Sequence, residues 1–153
     1  MAQTKKNILP PDSFCTFSDL DVHSGLKQKR KLSAHIAELI FHYRKKGSAF
    51  SYCFTSDSYL HQMNLEYLQH DDYTDIITFD LTEKDMDLIV ADIYISIDRV
   101  RENARKEKVP VQQELLRVII HGALHMAGFG DKTPKAKTKM RSLEEFWMAK
   151  FSE

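Results

Sequence analysis

Apolar residues follow two rhythms along this chain, and the rhythms divide it into elements. Short runs rich in β-branched and aromatic residues read as strands. Phe14 to Ser18 alternates apolar and small residues, and Ala49 to Thr55 and Asp75 to Leu81 (DIITFDL) are further runs of this kind. Leu88 to Ile97 (LIVADIYISI) is apolar almost throughout, which predicts a central strand buried on both faces. Other stretches repeat at helical spacing. Leu32, Ile36, Leu39, Ile40 and Tyr43 do so within Leu26 to Lys46, and Gly47 is the expected stop. Ser56 or Asp57 can cap a helix running through Leu60, Met63, Leu65 and Tyr67. Asp98 to Lys108 reads as a charged helix. Val109-Pro110 breaks the chain, and a long helix from Val111 to Ala127 ends at Gly128 and Gly130. A last helix spans Pro134 to Lys150, with Pro134 in its first turn. About four strands and about five helices in mixed order predict an α+β fold, one small mixed sheet covered by helices. Tyr52, Phe54, Ile77 and Phe79 are expected in the core, and His23, His35, His42 and His61 as surface or helix residues.

Length and composition narrow the class. The 153 residues suit a single domain spanning 1–153, with residues 1–12 as a poorly ordered lead-in. Hydrophobic residues at 42% and charged residues at 29% exclude disorder as the overall state. No apolar run reaches the roughly 18 residues of a membrane span. Lys5 and Lys6 are not followed by the apolar core of a secretory signal. Two cysteines, Cys15 and Cys53, are too few for a disulfide framework, so partly buried thiols and a cytoplasmic setting are expected. Lys plus Arg and Asp plus Glu both number 22, which excludes a strongly basic nucleic-acid coat. It leaves room for local fields, notably the basic cluster from Lys132 to Arg141 and the acidic one from Asp71 to Asp87.

One segment carries the chemistry. Val118 to Asp131 reads VIIHGALHMAGFGD. His121 and His125 are four apart on the predicted helix, so both rings can reach one ion. Asp131 follows six residues later, beyond two glycines, where a reversing chain can return a third ligand. Three protein ligands with an open position is the pattern of catalytic zinc, whereas structural zinc is closed by four. The competing reading makes the histidines core or interface residues and Asp131 a helix cap. Zinc peptidases of the HExxH type place a Glu after the first His, and here that position is Gly122.

HGALHMAGFGD resembles the signature of the YbeY family of endoribonucleases, His-Gly-x-Leu-His-x-x-Gly-x-x-His. The resemblance continues upstream in Asn64-Leu-Glu-Tyr67, Asp71, Thr74-Asp-Ile-Ile-Thr-Phe79 and Ala91-Asp-Ile-Tyr-Ile-Ser96. It implies a metal-dependent endoribonuclease of single-stranded RNA, active in rRNA maturation and ribosome quality control. It implies one zinc per chain on His121, His125 and Asp131, and the small ribosomal subunit or its factors as partners. Two positions depart from the family pattern. Asp131 stands for the usual third His, adding a negative charge that weakens the ion as a Lewis acid. Leu68 stands where many members carry an arginine thought to face the active site, and a leucine cannot hold phosphate.

Arg117, four before His121, is a candidate replacement cation, with a salt bridge to Glu114 as its competing role. Glu114, two turns before His121, is a candidate for orienting a ligand ring, or a surface charge. Lys132, Lys135, Lys137, Lys139 and Arg141 form a candidate RNA-binding rim beside the third ligand, or a solvated helix face. Two further readings stay open: a metal-dependent hydrolase of another substrate, and a ribosome-associated factor without catalysis. In the latter the metal only braces the fold, with a fourth ligand such as His70 closing it.

Overall fold

The computed structural model describes residues 12–69 and 74–153. The expected lead-in, apart from Asp12, and the positions His70 and Asp71 lie outside the described residues. Nine elements follow in the order β1 (Phe14–Asp19), α1 (Lys29–Arg44), β2 (Gly47–Thr55), α2 (Asp57–Leu68), β3 (Ile76–Asp80), β4 (Leu88–Ser96), α3 (Ile97–Glu107), α4 (Val111–Met126) and α5 (Pro134–Phe151). The α+β architecture with one mixed four-stranded sheet matches the expectation from the sequence. Strand order is β1-β2-β4-β3, with β1, β2 and β4 parallel and β3 antiparallel to β4.

Element ends differ where backbone conformation decides them. The first helix begins at Lys29 rather than Leu26, because Gln28 adopts a left-handed conformation before it. Lys45 ends that helix in another left-handed turn, its N–H reaching the Phe41 carbonyl, so Gly47 is free to open β2 by donating to Asp87. Ser56, rather than Asp57, caps α2 by accepting from the Tyr59 N–H. Ser96 does the same for α3 through Arg99, which starts that helix at Ile97.

β4 is central, but it is not buried on both faces. Ile89, Ala91, Ile93 and Ile95 are fully buried, while Leu88, Val90, Asp92 and Tyr94 are half-covered. The buried set joins Phe50, Tyr52 and Phe54 of β2, and α1 and α4 pack on that face with Ile36, Ile40, Ile119 and Ala123. Ile77 is buried on the other face, where Phe79, half-buried rather than core, stacks edge-on between Tyr67 and Tyr94. His35 is a helix residue, as expected, but it is buried, with Nε2–H donating to the Trp147 carbonyl at 2.8 Å. Cys15 and Cys53 are unpaired and half-buried, and burial pushes both thiols up. Among the described residues no helix is long and apolar enough to cross a membrane.

Two contacts fix α4 against this frame. The Tyr52 hydroxyl donates to the Ile119 carbonyl at 2.9 Å, tying the helix to β2. Gly122 faces the sheet so closely that a Cβ there would meet Ile76 at 3.0 Å and Ile93 at 3.3 Å. Missing side-chain bulk at 122 therefore sets how near α4 rides to β3 and β4.

Candidate metal centre

α4 carries His121 and His125 one turn apart, and both rings lean to a common point. Their Nε2 atoms are 2.9 Å apart. Asp131 Oδ2 lies 3.3 Å from the first and 3.4 Å from the second. Three ligand atoms about 2.0–2.1 Å from a tetrahedral ion stand about 3.3–3.4 Å from one another, so the triangle is close to metal size.

The tautomers agree with that reading. His121 Nδ1 lies 2.7 Å from Glu144 Oε2, and His125 Nδ1 lies 2.9 Å from the Phe129 carbonyl oxygen. Each acceptor selects the Nδ1–H form, which turns the Nε2 lone pair inward. Two lone pairs and a carboxylate oxygen then converge within 3.4 Å. Such electron-rich atoms repel unless positive charge lies between them, so the donor set fits a divalent ion. Among the described residues the group has three members, His121, His125 and Asp131, all half-buried.

The turn after α4 explains how Asp131 arrives. The Gly128 N–H donates to the His125 carbonyl and the Phe129 N–H to the Leu124 carbonyl, the paired bonds of a Schellman ending. Gly128 has φ 105°, a conformation that side chains other than glycine resist. Phe129 packs edge-on against Tyr43 at 4.9 Å between ring centres, which holds the turn to α1. One reversal thus delivers the carbonyl that orients His125 and the third ligand. Gly122 points at the sheet, so a carboxylate at that position could not face the ion as a peptidase base does.

Glu144 is the residue the motif does not point to. It comes from α5, is buried, and holds His121 with one oxygen while the other accepts from Arg117 Nη1 at 3.2 Å. Its signal is helical spacing: Met140, Glu144, Trp147 and Phe151 form the buried stripe of α5, with a carboxylate on an otherwise apolar line. Glu114 was the expected candidate for orienting a ring. It is buried instead against Arg117, 3.7 Å away, and forms no hydrogen bond or ion pair with either histidine. Burial pushes its carboxyl above the usual range, against the pull of Arg117 and Arg141, while Asp75 and Glu144 add to the rise. Burial works to lower the His121 ring. The Glu144 hydrogen bond and the charges of Glu144, Asp131 and Asp75 outweigh it, so the ring rises above the ordinary histidine value.

A cavity of about 420 Å³ adjoins the group, and Asp75, Asn103 and Glu107 are among the residues that line it. Arg117 and Arg141 also line it. The basic cluster from Lys132 to Arg141 is divided. Arg141 faces this cavity, Lys135 and Lys139 border a separate depression with Ser142 and Leu143, and Lys132 and Lys137 are exposed. Lys139 also lies over the Phe129 ring. Leu68 is exposed at the end of α2 and does not line the cavity.

The family described as Endoribonuclease YbeY matches residues 18–152. A relative from Cytophaga hutchinsonii named Endoribonuclease YbeY is 42% identical over 125 residues, 82% of this chain and 87% of its own. One of the same name from Porphyromonas gingivalis is 45% identical over 118 residues, 77% of each chain. The solution structure of TM1509 from Thermotoga maritima superposes with a TM-score of 0.61 at 26% identity, covering 90% of this chain and 91% of that one.

Proposed function

Since this chain belongs to the YbeY endoribonuclease family, we propose that it is a metal-dependent endoribonuclease of single-stranded RNA, acting in rRNA maturation and ribosome quality control. The observation that carries the reading is the triangle of His121 Nε2, His125 Nε2 and Asp131 Oδ2, with both Nδ1 atoms already engaged. These three residues would hold one divalent ion per chain, and their two nitrogens and one oxygen suit zinc. When bound, such an ion supplies Lewis acidity at a phosphoryl oxygen and acidifies water.

The chain's own groups do the rest. Glu144 and the Phe129 carbonyl fix the ring orientations, so the site is assembled before substrate arrives. Asp131 adds a negative charge that softens the ion's pull on phosphate relative to a third imidazole. His121 and Asp131 of the three-ligand group border the adjoining cavity, which leaves room for a phosphodiester beside them. Arg141 at this cavity, with Lys132, Lys135, Lys137 and Lys139 on the surface beyond it, would meet the RNA backbone. With ribosomal RNA as its substrate and the small ribosomal subunit or its factors as partners, the protein would act in the cytoplasm.

Metal content of the purified protein, beside a His125→Ala variant, tests the centre. Cleavage of single-stranded RNA, run against casein, tests the activity. Wild type should carry about one zinc and cut RNA, and the variant should do neither. Wild-type protein that holds no ion and takes up none from added zinc overturns the reading. So does metal-loaded protein that spares RNA and cuts casein.

A further inference from the structure

The cavity beside the metal group is short of usable positive charge. Asp75, Glu107, Glu114, Asp131 and Glu144 face it with carboxylates, against the two guanidinium groups of Arg117 and Arg141. An RNA phosphate entering such a space needs a cation with donors to spare.

Arg117 is held in place between two buried carboxylates. Its Nε lies 3.7 Å from Glu114 and its Nη1 3.2 Å from Glu144, and its side chain is 14% exposed. Drawing it toward a ligand would leave two buried carboxylates uncompensated. Arg141 is placed otherwise. Its side chain is 52% exposed, and its nearest carboxylates stand 3.8 Å away at Glu144 and 3.9 Å away at Glu145, beyond hydrogen-bond reach. It sits one turn before Glu144 on α5, so it borders the cavity from the helix that also orients His121. Leu68, where the resemblance leads one to expect arginine, is aliphatic and lies off the cavity lining.

We propose that Arg141 is the phosphate-holding residue of this pocket, so that α5 supplies the cation that position 68 lacks. The proposal rests on the endoribonuclease reading above. The planar guanidinium can grip two phosphate oxygens at once, which places the phosphodiester against the metal group. A lysine at the same place keeps the charge and loses the fork. The contact therefore has two separable parts, charge and geometry.

The experiment measures binding and cleavage of one single-stranded RNA by zinc-loaded wild type, Arg141→Gln and Arg141→Lys, with metal content and Tm recorded for each. Arg141→Gln should weaken binding about tenfold and lower the salt slope of binding by roughly 0.7, one phosphate contact on a single strand. Arg141→Lys should restore the slope while leaving kcat/KM below wild type. Metal content and Tm should hold in both variants. A fall in metal content or Tm that tracks the loss of cleavage would make Arg141 a structural residue and overturn the proposal. Equal cleavage and equal salt slope in wild type and Arg141→Gln would overturn it too. Wild-type protein that does not cut RNA at all fails the underlying reading instead, which keeps the two failures apart.

Discussion

His121 and His125 offer the same atom to the same point, yet they are held in opposite ways. His125 is oriented by the carbonyl of Phe129, four residues on, through a turn that also returns Asp131. His121 is oriented by Glu144, 23 residues away on a different helix, and that carboxylate is shared with Arg117. One half of the site is a local device made by consecutive residues. The other half exists only because α4 and α5 pack together. A local device can keep its geometry while the rest of the fold loosens, whereas the packed half depends on the pairing of buried charges.

Glu144→Ala tests the packed half and should have the largest effect. It strips His121 of its acceptor and leaves Arg117 with Glu114 alone. Unfolding free energy should fall by about 3 kcal/mol, since a buried pair loses one partner. Zinc affinity should drop about 10–100-fold, the usual effect of losing a carboxylate behind a histidine ligand. Denaturant titration and zinc competition measure the two. Unchanged affinity would mean that α4 alone orients His121, and the contrast between the histidines would collapse.

The helix face opposite the site comes next. Gly122→Val would push a branched side chain into Ile76 and Ile93, where even a Cβ has 3.0 Å and 3.3 Å. Stability should fall by about 2 kcal/mol, because α4 must lift off the sheet. Calorimetry reads this directly. A neutral result would show that the isoleucines give way, and that close approach at 122 is not what positions the metal helix.

Gly128→Ala addresses the local half. At φ 105° an alanine is strained by about 1 kcal/mol, so Tm should drop by a few degrees. Zinc affinity should follow only modestly, since Phe129 is still anchored on Tyr43. Loss of zinc as large as that in Glu144→Ala would show that the turn, not the packed carboxylate, is the weak point.

The same division decides what could be read without coordinates. Strands rich in β-branched residues, the helix through His121 and His125, and the returning Asp131 all follow from neighbours in the chain, and their placement was legible. Phe79 is half-buried rather than core, because alternation shows that a residue faces one side, not how well that side is covered. Gly47 does not stop the first helix, because Lys45 takes the left-handed conformation first. Glu144 is a tertiary partner, so the metal motif says nothing of it. Its apolar stripe through Met140, Trp147 and Phe151 does mark it as a carboxylate forced inward, and a buried carboxylate demands a partner. Arg117 beside Glu114 was legible as an ion pair. That the same guanidinium also meets Glu144 from another helix was not.

The smallest effect concerns a histidine outside the site and separates burial from metal chemistry. Burial lowers the His35 ring below the ordinary histidine value. Its bond to Trp147 and the charge of Glu38 oppose that shift, while Lys150 and Lys31 reinforce it. A depressed folded pKa means the neutral ring contributes in full above the unfolded value, about 6.5, and that contribution is lost as pH falls below it. His121, raised in the metal-free protein, has the opposite sign: its contribution is full below about 6.5 and fades as pH rises. In chelator, the two slopes partly cancel in wild type. His35→Gln can still donate to the Trp147 carbonyl but cannot titrate, so it removes one slope alone. Its Tm, followed from pH 7.5 to 5.5, should fall less with acid than that of wild type. The difference is bounded by about 1.4 kcal/mol per pK unit of depression. Parallel curves would mean that acid stability is set elsewhere, and that His35 serves the fold as a hydrogen-bond donor to Trp147 in either charge state.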